Sequence, residues 1–235
     1  MQKIKRFITS DMVVTYTLLG VMALVFLFEC LSSRRLALFD SAIDSGTLLN
    51  FGSLFNPLVI MFNQWWRLIT AQFIHINLLH FISNAVMIYY VSQFLEPTLG
   101  KIKYLSVFLL SGIGGNLMSL AFGSDLTVSA GASTSLFGLF GVILVLVWDN
   151  QTPAMMAIKQ QFLALAILNL VLDLFISDIN IQGHFGGLLF GVLFGIIFGG
   201  QKNQKLYATR WRIVAIFATI ILTLILIGIG MQVSY

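Results

Sequence analysis

One serine among glycines and three histidines are the residues of this chain best equipped for chemistry. Ser133 lies in Gly131-Ala-Ser-Thr-Ser-Leu-Phe-Gly138, and His75, His80 and His184 are the only histidines in 235 residues. A serine hydroxyl is a weak nucleophile until a neighbouring base takes its proton. Histidine is the usual proton carrier near neutral pH and is costly in lipid. Placing all three in or beside apolar segments points to acyl-transfer chemistry within a bilayer.

The bulk of the chain supports that setting. Hydrophobic residues make up 58% and charged residues only 9%, against about 25% charged in a soluble domain. Mean hydropathy is +0.95. The expectation is an all-α polytopic membrane protein with no sizeable soluble domain. The single cysteine, Cys30, cannot form an internal disulfide. The net charge of +4 would admit nucleic acid as a partner, but the placement of the charges reads as membrane topology instead. No nucleic acid, cofactor or metal is expected, and the sequence gives no oligomeric state.

Seven apolar segments are predicted: 12–31, 79–95, 104–122, 133–148, 157–177, 182–200 and 211–231. Most approach the roughly 20 residues that span a bilayer as a helix. The run at 12–31 lacks a small-residue cleavage site and reads as a span rather than a signal peptide. Pro57, Pro97 and Pro153 are all expected between spans, as their cost inside a helix demands. The predicted organisation is a cytoplasmic N-terminus over 1–11 and a six-helix catalytic core over 12–200. A cytoplasmic linker and seventh helix follow over 201–235.

Lys3, Lys5, Arg6, Lys101, Lys103, Lys159, Lys202, Lys205, Arg210 and Arg212 share one side if the seven spans hold, and only Arg34, Arg35 and Arg67 fall on the other. The positive-inside rule then puts the N-terminus in the cytoplasm and the C-terminus outside. The long loop over 32–77 lies outside, and Trp65 and Trp66 suit the interface level.

With this orientation the second, fourth and sixth spans run inward from the outer face. His80 and Asn84 near the start of the second, Ser133 at the start of the fourth and His184 near the start of the sixth share one depth. His80 and Asn84, spaced i, i+4, occupy one helix face, as do Ser133 and Phe137. Glycines at 183, 187, 191, 195 and 199 form a ridge on which another helix can approach closely. The fourth span packed there would bring Ser133 within hydrogen-bonding range of His184. His184 would serve as general base and then protonate the leaving amine. The unpaired amides of the first helical turn, with Asn84 and His80, would stabilise an oxyanion. Asp173 and Asp178, the nearest carboxylates in sequence, read as solvated loop charges. A dyad is therefore expected, with Phe137 holding the imidazole. The short fourth span implies a water-filled recess above Ser133.

These residues resemble the bacterial rhomboid intramembrane serine proteases. The matching motifs are His75-Ile-Asn-Leu-Leu-His80-Phe-Ile-Ser-Asn84, Gly131-Ala-Ser133, Gly183-His184-Phe-Gly-Gly187 and Trp66-Arg67, across about residues 60–200. The resemblance implies a rhomboid-like bundle, with one extra helix after a six-helix core. Ser133 would be the nucleophile and His184 the base. His80, Asn84 and the Ser133 amide would form the oxyanion hole, and His75 would be a hydrogen-bonding structural residue. Trp66-Arg67 would belong to a lipid-facing loop, and Glu96 would tie helices together at the cytoplasmic end. Substrates would be single-span membrane proteins cut near their outer end, and the location would be a bacterial cytoplasmic membrane. Thr134 departs from the G-x-S-G motif and is expected to narrow the site. It leaves an inactive, client-binding relative as an alternative. A small transporter is a further one, with neither an internal repeat nor a carboxylate pair to support it.

Overall fold

The computed structural model describes residues 12–33, 42–124, 126–148, 152–173, 180–200 and 206–232. Lys3, Lys5, Arg6, Arg34, Arg35, Asp178, Lys202 and Lys205 lie outside the described residues.

Each predicted apolar segment is helical over most of its described residues, with 174–177 lying outside them. The long helices are α1 (Val13–Ser33), α5 (Leu78–Leu99), α6 (Lys101–Phe122), α7 (Ser133–Val147), α8 (Pro153–Asp173), α9 (Ile181–Phe198) and α10 (Thr209–Gly230). Between α1 and α5 come three short helices, α2 (Ser45–Phe51), α3 (Asn56–Met61) and α4 (Arg67–Thr70), followed by a 3₁₀ turn at Ala71–Phe73. In lipid a backbone must satisfy its own hydrogen bonds, and a helix does so within one segment. Among the described residues five helices, α1, α5, α6, α9 and α10, are long and apolar enough to cross a membrane. α7 is apolar but has only 15 residues. In α8, Lys159, Gln160, Gln161 and Asn169 dilute the apolar character.

Two of the prolines open helices: Pro57 in the first turn of α3 and Pro153 as the first residue of α8. There a missing N–H costs nothing. Pro97 is a correction, because it lies inside α5 rather than beyond it. It sits so close to the end of α5 that little of the helix depends on the missing bond. Gly100 then turns the chain directly into α6 at φ +80°, a conformation that favours glycine.

At this end Glu96 accepts from the N–H groups of Val14 and Thr15 (2.8 Å each) and from the Thr15 hydroxyl (2.6 Å). One buried carboxylate thus caps α1 and fastens it to α5.

The segment over 32–77, expected as a loop, is folded wherever it is described. Arg67 is 5% exposed. Its Nη1 donates to the carbonyls of Leu49 (2.9 Å) and Ser53 (2.8 Å), and its Nε donates to Gln64 Oε1 (2.7 Å). Only Trp66 of the pair faces outward, with the Arg67 guanidinium 4.7 Å from its ring centre. Within the loop that carries Trp66-Arg67, the arginine is thus turned inward while the tryptophan is exposed. Two backbone carbonyls and a side-chain amide oxygen are richer partners for a guanidinium than lipid is. Leu54 and Ser129 exchange two backbone hydrogen bonds of 2.8 Å, tying the loop to the segment before α7.

The core is built on α6, α7 and α9. Gly187 packs against the backbone of Thr134 and Gly191 against that of Gly138. A Cβ on Gly195 would lie 2.8 Å from the Val145 Cβ. The ridge read from the sequence is thus a seam where two backbones meet, and α7 lies along it.

Candidate active site

Gly131 turns the chain into α7 with φ +139°, and its N–H donates to the Ala71 carbonyl (2.9 Å). Ser133 follows as the first residue of α7. The first intrahelical bond comes from the Leu136 N–H to the Ala132 carbonyl (2.9 Å). The amides of Ser133, Thr134 and Ser135 therefore precede the ladder, at the positive end of the helix dipole.

Asn180 starts α9. Its Oδ1 accepts the Gly183 N–H (2.9 Å), and its Nδ2 donates to the hydroxyls of Ser129 (3.0 Å) and Ser119. This one side chain joins α9, α6 and the segment entering α7. One turn later His184 is 6% exposed. Its Nε2 lies 2.7 Å from Ser133 Oγ. The Phe137 ring stacks on the imidazole with centroids 4.6 Å apart and planes inclined by 19°.

His80 approaches from α5. A Cβ on Gly131 would lie 2.7 Å from His80 Cε1, 2.8 Å from His80 Nε2 and 3.6 Å from Ser133 Oγ. Glycine at 131 keeps this position free of a side chain, so the His80 imidazole comes close to the backbone beside the serine oxygen. Asn84 is buried one turn further along α5, and its Nδ2 donates to the His80 carbonyl (3.0 Å). Asn77 caps α5 by accepting the His80 N–H (2.8 Å).

His75 departs from expectation. Its N–H donates to Glu29 Oε2 (3.3 Å), but neither ring nitrogen has a hydrogen-bond partner among the described residues. The ring is fully buried and packs edge-on against His80 (5.3 Å) and Phe81 (5.4 Å). Burial, and secondarily the charge of His80, push it down to about 3, so it is neutral at physiological pH. Its ring serves packing rather than the expected hydrogen bonding, because the wall around it is apolar.

Thr134 also departs from expectation. Its side chain does not narrow the site but fills a slot between α6 and α9. A Cβ on Gly115 would lie 2.8 Å from the Thr134 Cβ, and one on Gly183 would lie 3.1 Å from its Cγ2. Two facing glycines make the room that a glycine at 134 would not need.

Behind the site, Ser135 donates to Gln72 Oε1 (2.9 Å), and Gln72 Nε2 donates to the Leu68 carbonyl (3.0 Å). This buried bridge ties the segment between α1 and α5 to α7. A polar cavity of about 250 Å³ adjoins the first turn of α9, lined by Ser119, Ser129, Asn180 and Gln182 among others. It is large enough for several waters. Neither Ser133 nor His184 lines it, so it is distinct from the recess expected above Ser133. Asp173 ends α8. Among the described residues no three His, Cys, Asp or Glu side chains form a metal-binding group.

Reading the residues one by one missed Asn180, Gln72 and Glu29. An asparagine three residues before Gly183 at the start of an apolar run is a legible N-cap signal. Gln72 and Glu29 carried no local signal.

The fold and site define a multi-pass helical membrane protein with a serine–histidine pair held at a helix start. The rhomboid domain model matches residues 62–201, and the chain belongs to the rhomboid family. It is 30% identical over 187 residues to the rhomboid protein YdcA of Bacillus subtilis, covering 80% of this chain and 88% of YdcA. It is 29% identical over 175 residues to "Rhomboid protease GluP" of the same organism, covering 74% of this chain. It spans only 33% of GluP. "Rhomboid-like protease 3" of Toxoplasma gondii is 30% identical over 169 residues, 71% of this chain and 62% of the relative.

Proposed function

We propose that the protein is an intramembrane serine endopeptidase that cuts transmembrane segments of single-span membrane proteins near the outer face of a bacterial cytoplasmic membrane. The supporting observation is the 2.7 Å approach of His184 Nε2 to Ser133 Oγ under the Phe137 ring. His184 takes the serine proton as Oγ attacks the scissile carbonyl, and later returns it to the leaving amine. Phe137 restrains the imidazole where a triad would use a carboxylate. The developing oxyanion would occupy the space beside Gly131, within reach of His80 Nε2 and the first-turn amides of α7. Asn84 would support His80 through the His80 carbonyl. His75 would support it through ring packing. The Lys and Arg distribution supports a cytoplasmic N-terminus and an external C-terminus. Thr134, buried away from this space, gives no support to an inactive relative.

The test is fluorophosphonate labelling in detergent, with cleavage of a single-span reporter followed in parallel. Labelling and cleavage that both vanish in Ser133→Ala would support the reading. A folded wild type that neither labels nor cleaves would overturn it.

A further inference from the structure

Two carboxylates are buried in the helix pair α1 and α5, and only one is used up by structure. Glu96 spends both oxygens on three hydrogen bonds at one end of α1. Glu29, near the other end, is also fully buried. It accepts one long bond from the His75 N–H (3.3 Å), and its Oε1 has no partner among the described residues. The Nδ1 and Nε2 of His75 are likewise open. Three unpartnered polar atoms in one buried place are costly, and native interiors rarely keep them without a use. Phe26, Ile43, Leu48 and Ile74 form the apolar core around this place, so a Leu at position 29 would suit it better.

What the cost maintains is a line of groups leading to the reaction. Glu29 holds the backbone of His75, whose ring stands edge-on to His80 at 67° and 5.3 Å. His80 Nε2 borders the space at Gly131 beside Ser133 Oγ. An oxyanion donor works only if its ring is held in one orientation with its proton on the correct nitrogen. We propose that Glu29 is a positioning residue which, through His75, holds the His80 imidazole as a hydrogen-bond donor to the oxyanion. The proposal rests on the protease reading above.

The test uses the full chain in detergent and measures kcat and KM on a single-span reporter together with thermal unfolding. Glu29→Leu should lower kcat by about tenfold or more, a fraction of the loss of a whole donor. KM should stay unchanged, and Tm should be unchanged or raised because an unsatisfied group has been removed. Glu29→Gln, which keeps the shape and an acceptor, should restore most of kcat. His75→Phe keeps the ring edge and the backbone N–H that Glu29 accepts, so it should keep most of kcat, whereas His75→Leu removes the ring, guards against a poorly folded Glu29 variant and should show the same kcat loss. Wild-type kcat in folded Glu29→Leu, or in folded His75→Leu, would overturn the proposal while leaving the protease reading intact. So would a kcat loss that only tracks a fall in Tm. A wild type that does not cleave would instead remove the protease reading, and the proposal with it.

Discussion

The helices that carry Ser133 and His184 and the helix that carries His80 and Asn84 are positioned by different means. α7 and α9 meet through glycines, with Gly187 on the Thr134 backbone and Gly191 on that of Gly138. No flexible side chain lies between the two backbones there, so the 2.7 Å approach of His184 to Ser133 inherits the rigidity of the seam. α5 packs on the core through Ile88, Val91, Leu95 and Leu99, and its site end is held further by polar and aromatic contacts, the Asn77 cap, the His75 edge and the Glu29 acceptor, with the Glu96 clasp at the far end. Close packing fixes the proposed nucleophile and base, whereas hydrogen bonds and rings aim the groups proposed to receive charge. Changes in the glycine seam should therefore act through stability and chemistry together, and changes to the groups around His80 mainly through rate at neutral pH.

The sharpest break is at the dyad. Ser133→Ala and His184→Ala should each abolish reporter cleavage while thermal unfolding stays near wild type. Full activity in either would remove the dyad. Next comes the seam. Gly191→Val sets a Cβ against the Gly138 backbone, and overpacking of this kind costs about 1–3 kcal/mol. Stability and cleavage should fall together, and a stable, fully active variant would show that the seam does not hold the dyad.

On the other side, Asn84→Ala should lower kcat by about tenfold to a hundredfold with little change in Tm, below or near the loss of a full oxyanion donor. An unchanged rate would take Asn84 out of that support. The pH dependence of stability sharpens the contrast further. His75 sits near 3 in the fold against an ordinary 6.5, so between these values the unfolded chain binds the extra proton. Stability should be full above about 6.5 and fall as pH drops toward 3. His75→Phe should flatten that slope in thermal melts, and an unchanged slope would assign it to other groups. The smallest effect is expected at Thr134→Gly. Activity should change by less than about tenfold, or 1.4 kcal/mol, because this side chain lies in the helix slot rather than beside the reacting oxygen. Complete loss would show that the slot itself orders the first turn of α7.

Much of this was legible in the residues. The histidine, asparagine and glycine spacings have direct helical meanings: i, i+4 puts two groups on one face, and glycine every fourth residue makes a ridge. Proximity between helices was legible only as far as span parity and charge counting could carry it. Pro97 was assigned outside its helix because a proline near a C-terminal end costs too little to mark a boundary. Thr134 was expected in the site because sequence shows adjacency to Ser133 but not which way a side chain turns.

The sequence by itself determined that this chain is a helical membrane protein of the rhomboid family. Hydropathy, period and motif order are local properties of the chain. The tertiary structure decided which atoms meet: Ser133 with His184, Thr134 with Gly115 and Gly183, Arg67 with the carbonyls of Leu49 and Ser53, and Glu29 with His75. Those pairings depend on how helices rotate and cross, which is set by packing summed over the whole bundle and written in no single segment.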